Sequence, residues 1–356
     1  MKAITNTKYV KNLFLSACLL VSTANLVAQD AATEEEETTP KFSFSGSVDA
    51  YYRTNLSTTD RSDIDGDGNV TRPAAAPGTS FANETGFALG MANAIFSYEG
   101  SKVGAVADLT FGPRGNQATG GFNLNQLYAY WNLSEAVTLT GGRFNTYLGY
   151  EVISPVANFN YSTSYLFSYG PFSHVGLKAE FALSEDFSLM LAFMNVTDEN
   201  SNLTGEYAAG AQLGYAGQFL NFYYDGNAKL GFEIDYTGGF DITDTFFLGL
   251  NAAYQDNDGV GFFGAAVYPQ YQTSDAFTIG VRGEYFAESG NYGAIGTGVE
   301  DSSVFAATLT GSYSIENLTI KPEIRLDTTS DEAFQDYDLN ATKSLSSFLI
   351  AAIYSF

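Results

Sequence analysis

The residues with the most recognisable chemical spacing form an acidic run at positions 63–69. The run reads Asp63-Ile64-Asp65-Gly66-Asp67-Gly68-Asn69. Carboxylates at the first, third and fifth positions of a loop suit a hard cation such as Ca²⁺, and a glycine at the sixth allows a sharp turn. The glutamate that would close such a loop is absent, because Ala74 stands there. Asp63, Asp65, Asp67 and Asn69 are therefore candidate ligands of a structural Ca²⁺, with a solvated acidic turn as the alternative, and no other cofactor is expected.

The chain has a single histidine, His174. A hydrolase of the Ser–His type would need this residue as its general base. The adjacent Ser173 is a poor nucleophile for it, because neighbouring side chains of a strand point to opposite faces. A lone histidine also argues against a histidine-based metal site. We therefore expect no enzymatic activity.

A larger group of charged residues falls within stretches that alternate between apolar and polar residues. Pairs such as Asp49 and Arg53 are two or four residues apart, and such positions share one face of a strand. Basic and acidic members nearly balance, so the face that they share would be wet. On the inner wall of a barrel they would line a pore, and the candidates are Asp49, Arg53, Asp108, Lys178, Glu180, Lys229, Glu233, Asp235, Arg282, Glu284, Lys321, Glu323 and Arg325.

The elements that carry these charges have the two-residue period of β-strands. From Phe42 to Arg53, and again in many later stretches up to Phe356, apolar residues occupy one face and polar residues the other. Such alternation predicts half-buried strands. We predict about sixteen, at 42–54, 86–98, 103–111, 124–133, 137–147, 174–183, 187–196, 207–216, 218–225, 228–237, 245–254, 261–271, 276–286, 303–313, 318–326 and 345–356.

The lengths of the strands and of their connections distinguish a membrane barrel from a soluble sandwich. Strands of about ten residues fit a tilted bilayer span, whereas globular strands usually have about five or six. Short connections, such as 99–102 and 184–186, alternate with long ones at 55–83, 148–173, 287–302 and 327–344. Aromatic residues gather near the strand ends, as in interfacial girdles. The sequence predicts an all-β fold, a transmembrane antiparallel up-and-down β-barrel of about sixteen strands over residues 42–356.

Composition excludes two other classes of protein. No stretch after residue 28 has the roughly 20 consecutive apolar residues that a helical span requires. The 40 acidic residues outnumber the 16 basic ones, which gives a net charge of −24. A chain this acidic cannot neutralise a row of phosphates, so we expect no nucleic-acid partner.

The two ends of the chain carry targeting signals. Residues 1–28 have the basic start, the apolar stretch and the cleavage site of a signal peptide, ending at Ala28. A lipoprotein anchored at Cys18 is the alternative. Residues 29–41 are predicted to be an acidic disordered tail. Tyr354 and the final Phe356 look like a signal for the barrel-assembly machinery, so we expect export to the cell outer membrane and contact with its lipid.

The segment 124–183 resembles the OmpL-like family of β-barrel porins. The matching stretches are Asn125-Gln126-Leu127-Tyr128-Ala129-Tyr130, Leu139-Thr140-Gly141-Gly142-Arg143-Phe144, Leu148-Gly149-Tyr150-Glu151, Asn158-Phe159-Asn160-Tyr161-Ser162 and Pro171-Phe172-Ser173-His174-Val175-Gly176-Leu177. The resemblance implies an outer-membrane porin whose loop around Glu151 folds toward the lumen. A bulge after Gly141-Gly142 would turn Arg143 inward to face Glu151. The two residues are then either constriction residues or a structural ion pair that fixes the loop.

The expected function is passive diffusion of small hydrophilic solutes or ions through a water-filled barrel. Acidic loops at the mouth would give a mild cation preference. The main alternative is a narrow or non-conducting barrel that displays long loops for adhesion or ligand binding. A transporter of hydrophobic compounds is the weaker third option, because residues 29–41 are too short for a plug. A homotrimer is expected by analogy with porins of this size.

Overall fold

The alternating stretches form sixteen antiparallel strands that close into one barrel in a computed structural model describing residues 40–61 and 75–356. The barrel strands are β1 (Lys41–Asn55), β2 (Gly86–Glu99), β3 (Val103–Phe111), β4 (Leu124–Ser134), β5 (Val137–Asn145), β6 (Ser173–Ala182), β7 (Phe187–Asn195), β8 (Tyr207–Tyr215), β9 (Gln218–Tyr224), β10 (Phe232–Thr243), β11 (Phe246–Asn257), β12 (Val260–Ser274), β13 (Phe277–Ser289), β14 (Ser303–Ile315), β15 (Leu318–Thr329) and β18 (Ser344–Ser355). The predicted closed antiparallel barrel is confirmed.

Each strand pairs with its neighbours in sequence, and β1 pairs with β18 to close the barrel. A small hairpin, β16 (Phe334–Gln335) and β17 (Ala341–Thr342), lies in the last long connection. Two short helices, α1 (Pro113–Thr119) and α2 (Tyr165–Tyr169), lie in other long connections. No helix in the described part of the chain is long and apolar enough to cross a bilayer.

Alternation places large apolar side chains on the outer face of the barrel. Phe87, Leu177 and Phe193 are 92%, 65% and 60% exposed, and many aromatic and aliphatic residues share this face. A polar solvent would disfavour so much exposed apolar surface, whereas lipid accommodates it. Polar partners in the same strands point to the interior.

The two ends of the barrel differ in their connections. At one end all turns have two to four residues, as at 135–136 and 316–317. At the other end most connections are long, including 56–85, 146–172, 290–302 and 330–343. The exception is the turn at Asp258 and Gly259, which joins β11 to β12 with positive φ at both residues and so has the form of a tight hairpin turn.

The predicted start of β10 is wrong by four residues. Residues 225–231 form a turn instead of strand, because the carboxylate of Asp225 accepts hydrogen bonds from the backbone N–H groups of Lys229, Leu230 and Gly231. Lys229 is therefore not on the inner wall. Its side chain is exposed and its Nζ lies 3.8 Å from Asp198 Oδ2.

The connection 146–172, called the inner segment below, lies inside the barrel. The structure contains four clusters of buried apolar side chains, and each includes at least one residue of this segment. These residues are Tyr165 and Leu166 in the first cluster, Tyr161 in the second, Leu148 in the third, and Ile153 and Phe167 in the fourth. Because the clusters draw wall residues from strands all round the barrel, the segment packs against the wall on several sides.

Candidate functional site

The inner segment covers most of the charged residues that were predicted to line a pore. Lys178 and Glu180 are half-buried on β6, where Nζ lies 3.0 Å from Oε1, and Lys229 is in an exposed turn. The other twelve are buried, namely Asp49, Arg53, Asp108, Arg143, Glu151, Glu233, Asp235, Arg282, Glu284, Lys321, Glu323 and Arg325. These twelve charged side chains therefore do not face a wide open lumen in this structure. Buried charges require partners, and most find them in the inner segment.

One ion pair joins the inner segment to the wall. Glu151 Oε1 accepts a hydrogen bond from Arg282 Nη1 on β13 at 2.7 Å, and both side chains are buried. Glu151 Oε2 accepts from the N–H and the hydroxyl of Ser164. Arg282 also donates to the Ser162 carbonyl oxygen at 2.6 Å and to Thr308 on β14. This pair fixes both limbs of the segment to one place on the wall.

Two wall carboxylates accept backbone N–H groups from the same stretch. Glu323 on β15 accepts from the N–H groups of Tyr161 and Ser162. Glu284 on β13 accepts from those of Tyr165 and Leu166 at 3.0 and 2.8 Å. These N–H groups do not pair with carbonyl oxygens of a helix or strand, so the wall carboxylates accept their hydrogen bonds instead.

Two wall cations bind carbonyl oxygens of the inner segment. Lys321 Nζ donates to the carbonyl oxygens of Pro155 and Asn158, and Arg325 donates to that of Thr163 at 2.8 Å. Arg325 also forms an ion pair with Asp327 two residues along β15. The charged side chains of the wall thus complement the backbone of the segment. Carboxylates accept hydrogen bonds from its N–H groups, and cations donate to its carbonyl oxygens.

Tyr161 also links the inner segment to β1 and α1. Its hydroxyl donates to Asp49 Oδ2 at 2.5 Å, and its carbonyl oxygen accepts from Arg114 Nη1 at 3.0 Å. Burial, and then the charge of Asp49, raise the pKa of the Tyr161 phenol above its ordinary value. The phenol therefore remains protonated and continues to donate to Asp49 at alkaline pH.

Wall glycines make room for aromatic rings of the inner segment. A Cβ added at any of four strand glycines would meet the far end of one of these rings. The pairs are Gly90 with Tyr161, Gly210 with Tyr147, Gly249 with Tyr150, and Gly280 with Phe159. The Tyr150 ring is further restricted by stacking on Tyr268 of β12 at a centroid distance of 4.2 Å.

We expect Gly249→Ala to lower the free energy of unfolding by about 1–3 kcal/mol, because the added Cβ overpacks the site of Tyr150. Urea titration of the folded protein measures this change. Gly283→Ala on β13 is the matched control, since a Cβ there would lie 3.6 Å from Val267 Cγ2, an ordinary contact. Equal stabilities of the two variants would show that Tyr150 is not held against Gly249.

Arg143 is not turned inward by a bulge. Strand pairing runs without a shift from Leu127↔Arg143 to Tyr130↔Thr140, and Leu127 is exposed on the outer face. The Cβ of Arg143 therefore lies on the outer face of the barrel. Its long side chain brings the guanidinium to the Asn125 carbonyl oxygen and to Asn200 Oδ1 near the strand end. The predicted pair of Arg143 with Glu151 is wrong, because the partner of Glu151 is Arg282.

Asp108, Asp235 and Arg53 have partners in the wall, at its edge or, for Asp235, also in the inner segment. Asp108 accepts from Asn93 and Asn125, and Asp235 accepts from Asn221, Asn251 and the N–H of Gly149. Arg53 donates to Asn55 and to the carbonyl oxygens of Ala75 and Asn83. Glu233 is buried on β10, and its Oε2 has no hydrogen-bond partner among residues 40–61 and 75–356.

His174 is enclosed by the start of the inner segment. Its Nε2 lies 3.0 Å from Thr146 Oγ1, and its ring packs against Phe144, Tyr147 and Tyr223. Ser173 Oγ instead lies 3.3 Å from Asp198 Oδ1. The geometry gives His174 a packing role, and Ser173 does not pair with it.

Sequence reasoning missed four buried charged residues, namely Arg114, Asp225, Glu288 and Asp327. Asp327 continues the spacing of Lys321, Glu323 and Arg325 by one more step, but the predicted strand ended at 326. Glu288 was missed in the same way, and its Oε1 accepts from the N–H of Ile295 at 2.7 Å. Arg114 lies on α1, a helix that the period-two signal could not reveal.

Two sets of predictions lie outside the described residues. They are the Ca²⁺ ligands Asp63, Asp65, Asp67 and Asn69, and the targeting segment with its tail up to residue 39. Both stay predictions.

Comparison with known proteins agrees with the barrel. Residues 41–356 match the family described as putative beta-barrel porin-2, OmpL-like. The outer membrane channel DcaP of Acinetobacter baumannii is 14% identical with a TM-score of 0.56, over 92% of this chain and 100% of that chain. An anion-selective porin from Comamonas acidovorans is 12% identical with a TM-score of 0.55, over 89% and 100%. At such identities the likeness concerns the fold alone. No curated protein matches the chain.

Proposed function

Since the chain belongs to the OmpL-like porin-2 family of outer-membrane β-barrel porins, we propose that it is a narrow diffusion channel for small hydrophilic solutes and ions. In this proposal the inner segment sets the size limit. The observation that carries it is the attachment of that segment to the wall by Arg282, Glu284, Glu323 and Lys321. A barrel of about sixteen strands without such a segment would enclose a wide aqueous channel.

The charges at the long-connection end bear on selectivity. In the described residues acids outnumber bases there, with examples such as Asp198, Glu206, Asp301 and Asp336. Fixed negative charge at a mouth raises the local concentration of cations. We therefore expect a mild cation preference, read from the sign of the reversal potential in a salt gradient.

A second candidate function is display of the long loops by a closed barrel. Four apolar clusters between the inner segment and the wall favour it, because packed side chains leave little room for solute. The loops would then bind a ligand or a surface.

Three further expectations are part of the proposal. The protein has no enzymatic activity, it forms a homotrimer, and the assembly machinery recognises Tyr354 and Phe356.

Swelling of liposomes that contain the folded protein distinguishes the two functions. The narrow channel predicts that glycerol enters quickly, a hexose slowly and a trisaccharide hardly at all. Liposomes without protein provide the baseline. No entry of glycerol above that baseline would reject the channel and favour display, whereas equal rates for all three solutes would reject the size limit.

A further inference from the structure

A cavity of about 250 Å³ lies between the inner segment and the wall strands β12, β14, β15 and β18. Ser314 and Thr319, which flank the turn at 316–317, are part of its lining, so it lies toward the short-turn end of the barrel. A single water needs about 10–15 Å³ of such volume, so the cavity has room for many waters. A small organic solute would therefore fit.

The Lys321 ammonium faces this cavity and has no counter-ion in direct contact among the described residues. Lys321 is buried and lines the cavity, and its Nζ donates to the two carbonyl oxygens of Pro155 and Asn158. An ammonium has three N–H donors, so one is left. Within residues 40–61 and 75–356, no carboxylate oxygen lies within 4.0 Å of this nitrogen.

The nearby carboxylates already have partners. Glu151 also lines the cavity, but one of its oxygens binds Arg282 and the other binds Ser164. Glu323 on the same strand as Lys321 accepts from Tyr161 and Ser162. Neither acid is free to neutralise the ammonium directly, and a buried charge without a direct partner is unfavourable.

Two more polar groups of the lining have no partner in the described part of the chain. They are Gln270 Nε2, a donor, and the Tyr268 hydroxyl. Apolar side chains, including Val156, Phe159 and Ile353, form another part of the lining. The cavity thus combines a cation, unsatisfied polar groups and an apolar surface.

We propose that this cavity binds a small organic anion, a monocarboxylate with an apolar body. The carboxylate accepts a hydrogen bond from the remaining N–H of Lys321, and the apolar body lies against Val156, Phe159 and Ile353. Gln270 and Tyr268 supply further hydrogen bonds to the solute. The binding site itself does not depend on the proposed channel function.

Benzoate is a suitable probe, and isothermal titration calorimetry of the folded protein in detergent at low salt measures its binding. We expect saturable binding of one benzoate per chain and no saturable binding of the neutral analogue benzamide. Lys321→Gln should weaken binding about tenfold or more, because a charge-assisted hydrogen bond is lost. Lys321→Arg, which keeps the charge, should retain most of the affinity.

Lys321 also holds the inner segment, so a second variant is needed. Gln270→Leu removes a donor that makes no hydrogen bond to that segment, and it should weaken binding severalfold in a protein of unchanged stability. Lys102→Gln, at an exposed position of another short turn, is the matched control and should bind like the natural chain.

Binding without conductance would keep the site and reject the channel, whereas conductance without benzoate binding would reject the site alone. Equal affinity of the natural chain and Lys321→Gln would also overturn the proposal.

Discussion

We expect Glu151→Gln to lower the free energy of unfolding by about 3 kcal/mol, because it leaves Arg282 buried without its counter-ion. Both side chains of this pair are almost fully buried, so solvent hardly screens the charge. The same change weakens the attachment of the inner segment to β13 at residue 151. We therefore also expect a higher single-channel conductance and a faster entry of hexose into liposomes.

The exposed pair Arg61–Glu84 provides the control for Glu151→Gln. Its atoms are 3.3 Å apart and its side chains are 48% and 70% exposed. Arg61→Gln should therefore change stability by less than about 1 kcal/mol and leave conductance unchanged. The double variant Glu151→Gln with Arg282→Gln should recover part of the lost stability, because no unpaired buried charge remains. A Glu151→Gln protein as stable as Arg61→Gln would show that the buried pair does not hold the segment.

The second large effect is expected from the carboxylates that accept backbone N–H groups. In a variant with both Glu284→Gln and Glu323→Gln, we expect a loss of about 1–3 kcal/mol for each carboxylate. At each site the amide NH2 replaces the oxygen that accepts one of the two backbone N–H groups. The two losses should not add fully, since both residues hold the same stretch. Conductance should rise, and it should fluctuate between levels as the stretch moves.

Asp108→Asn is the matched control for these carboxylates. Asp108 is equally buried in the wall, but its hydrogen bonds go to Asn93 and Asn125 and not to the inner segment. The control should lose stability without any change in conductance. If conductance rises as much in Asp108→Asn as in the double variant, the effect is a general loosening of the barrel and not release of the segment.

The barrel could be predicted from the sequence because each strand carries its own signal. Inner and outer faces alternate along every span, so a stretch such as 103–111 reveals its limits without knowledge of its neighbours. The same periodicity separates charged from apolar residues. Errors occurred where another local interaction prevailed, as at the turn organised by Asp225 before β10.

The candidate site could be predicted only in part. The charges were placed on the correct face at Arg282, Glu284, Lys321, Glu323 and Arg325, yet their burial was not expected. The inner segment lacks a strand or helix period, and its contacts join residues far apart in sequence. Lys321 and Pro155, for example, are 166 positions apart. Such contacts depend on the closed barrel, which no local pattern encodes.

The position of Arg143 shows a further limit of pattern reading. Its place beside two glycines suggested a bulge, but regular pairing continues through this part of β5. The long arginine side chain instead reaches Asn200 in a connection at the strand end. Alternation therefore predicts the face of the sheet on which the Cβ of a residue lies. A long side chain near a strand end can still place its charged group elsewhere.

The central claim is that the inner segment limits a conducting barrel. Single-channel conductance in a planar bilayer tests it most directly, with the natural chain compared with a variant in which residues 152–168 are replaced by a short flexible linker. We predict small steps for the natural chain and clearly larger steps for the variant, since the strands that form the barrel are unchanged. Equal conductance of the two folded proteins, or no steps from either, would contradict the account.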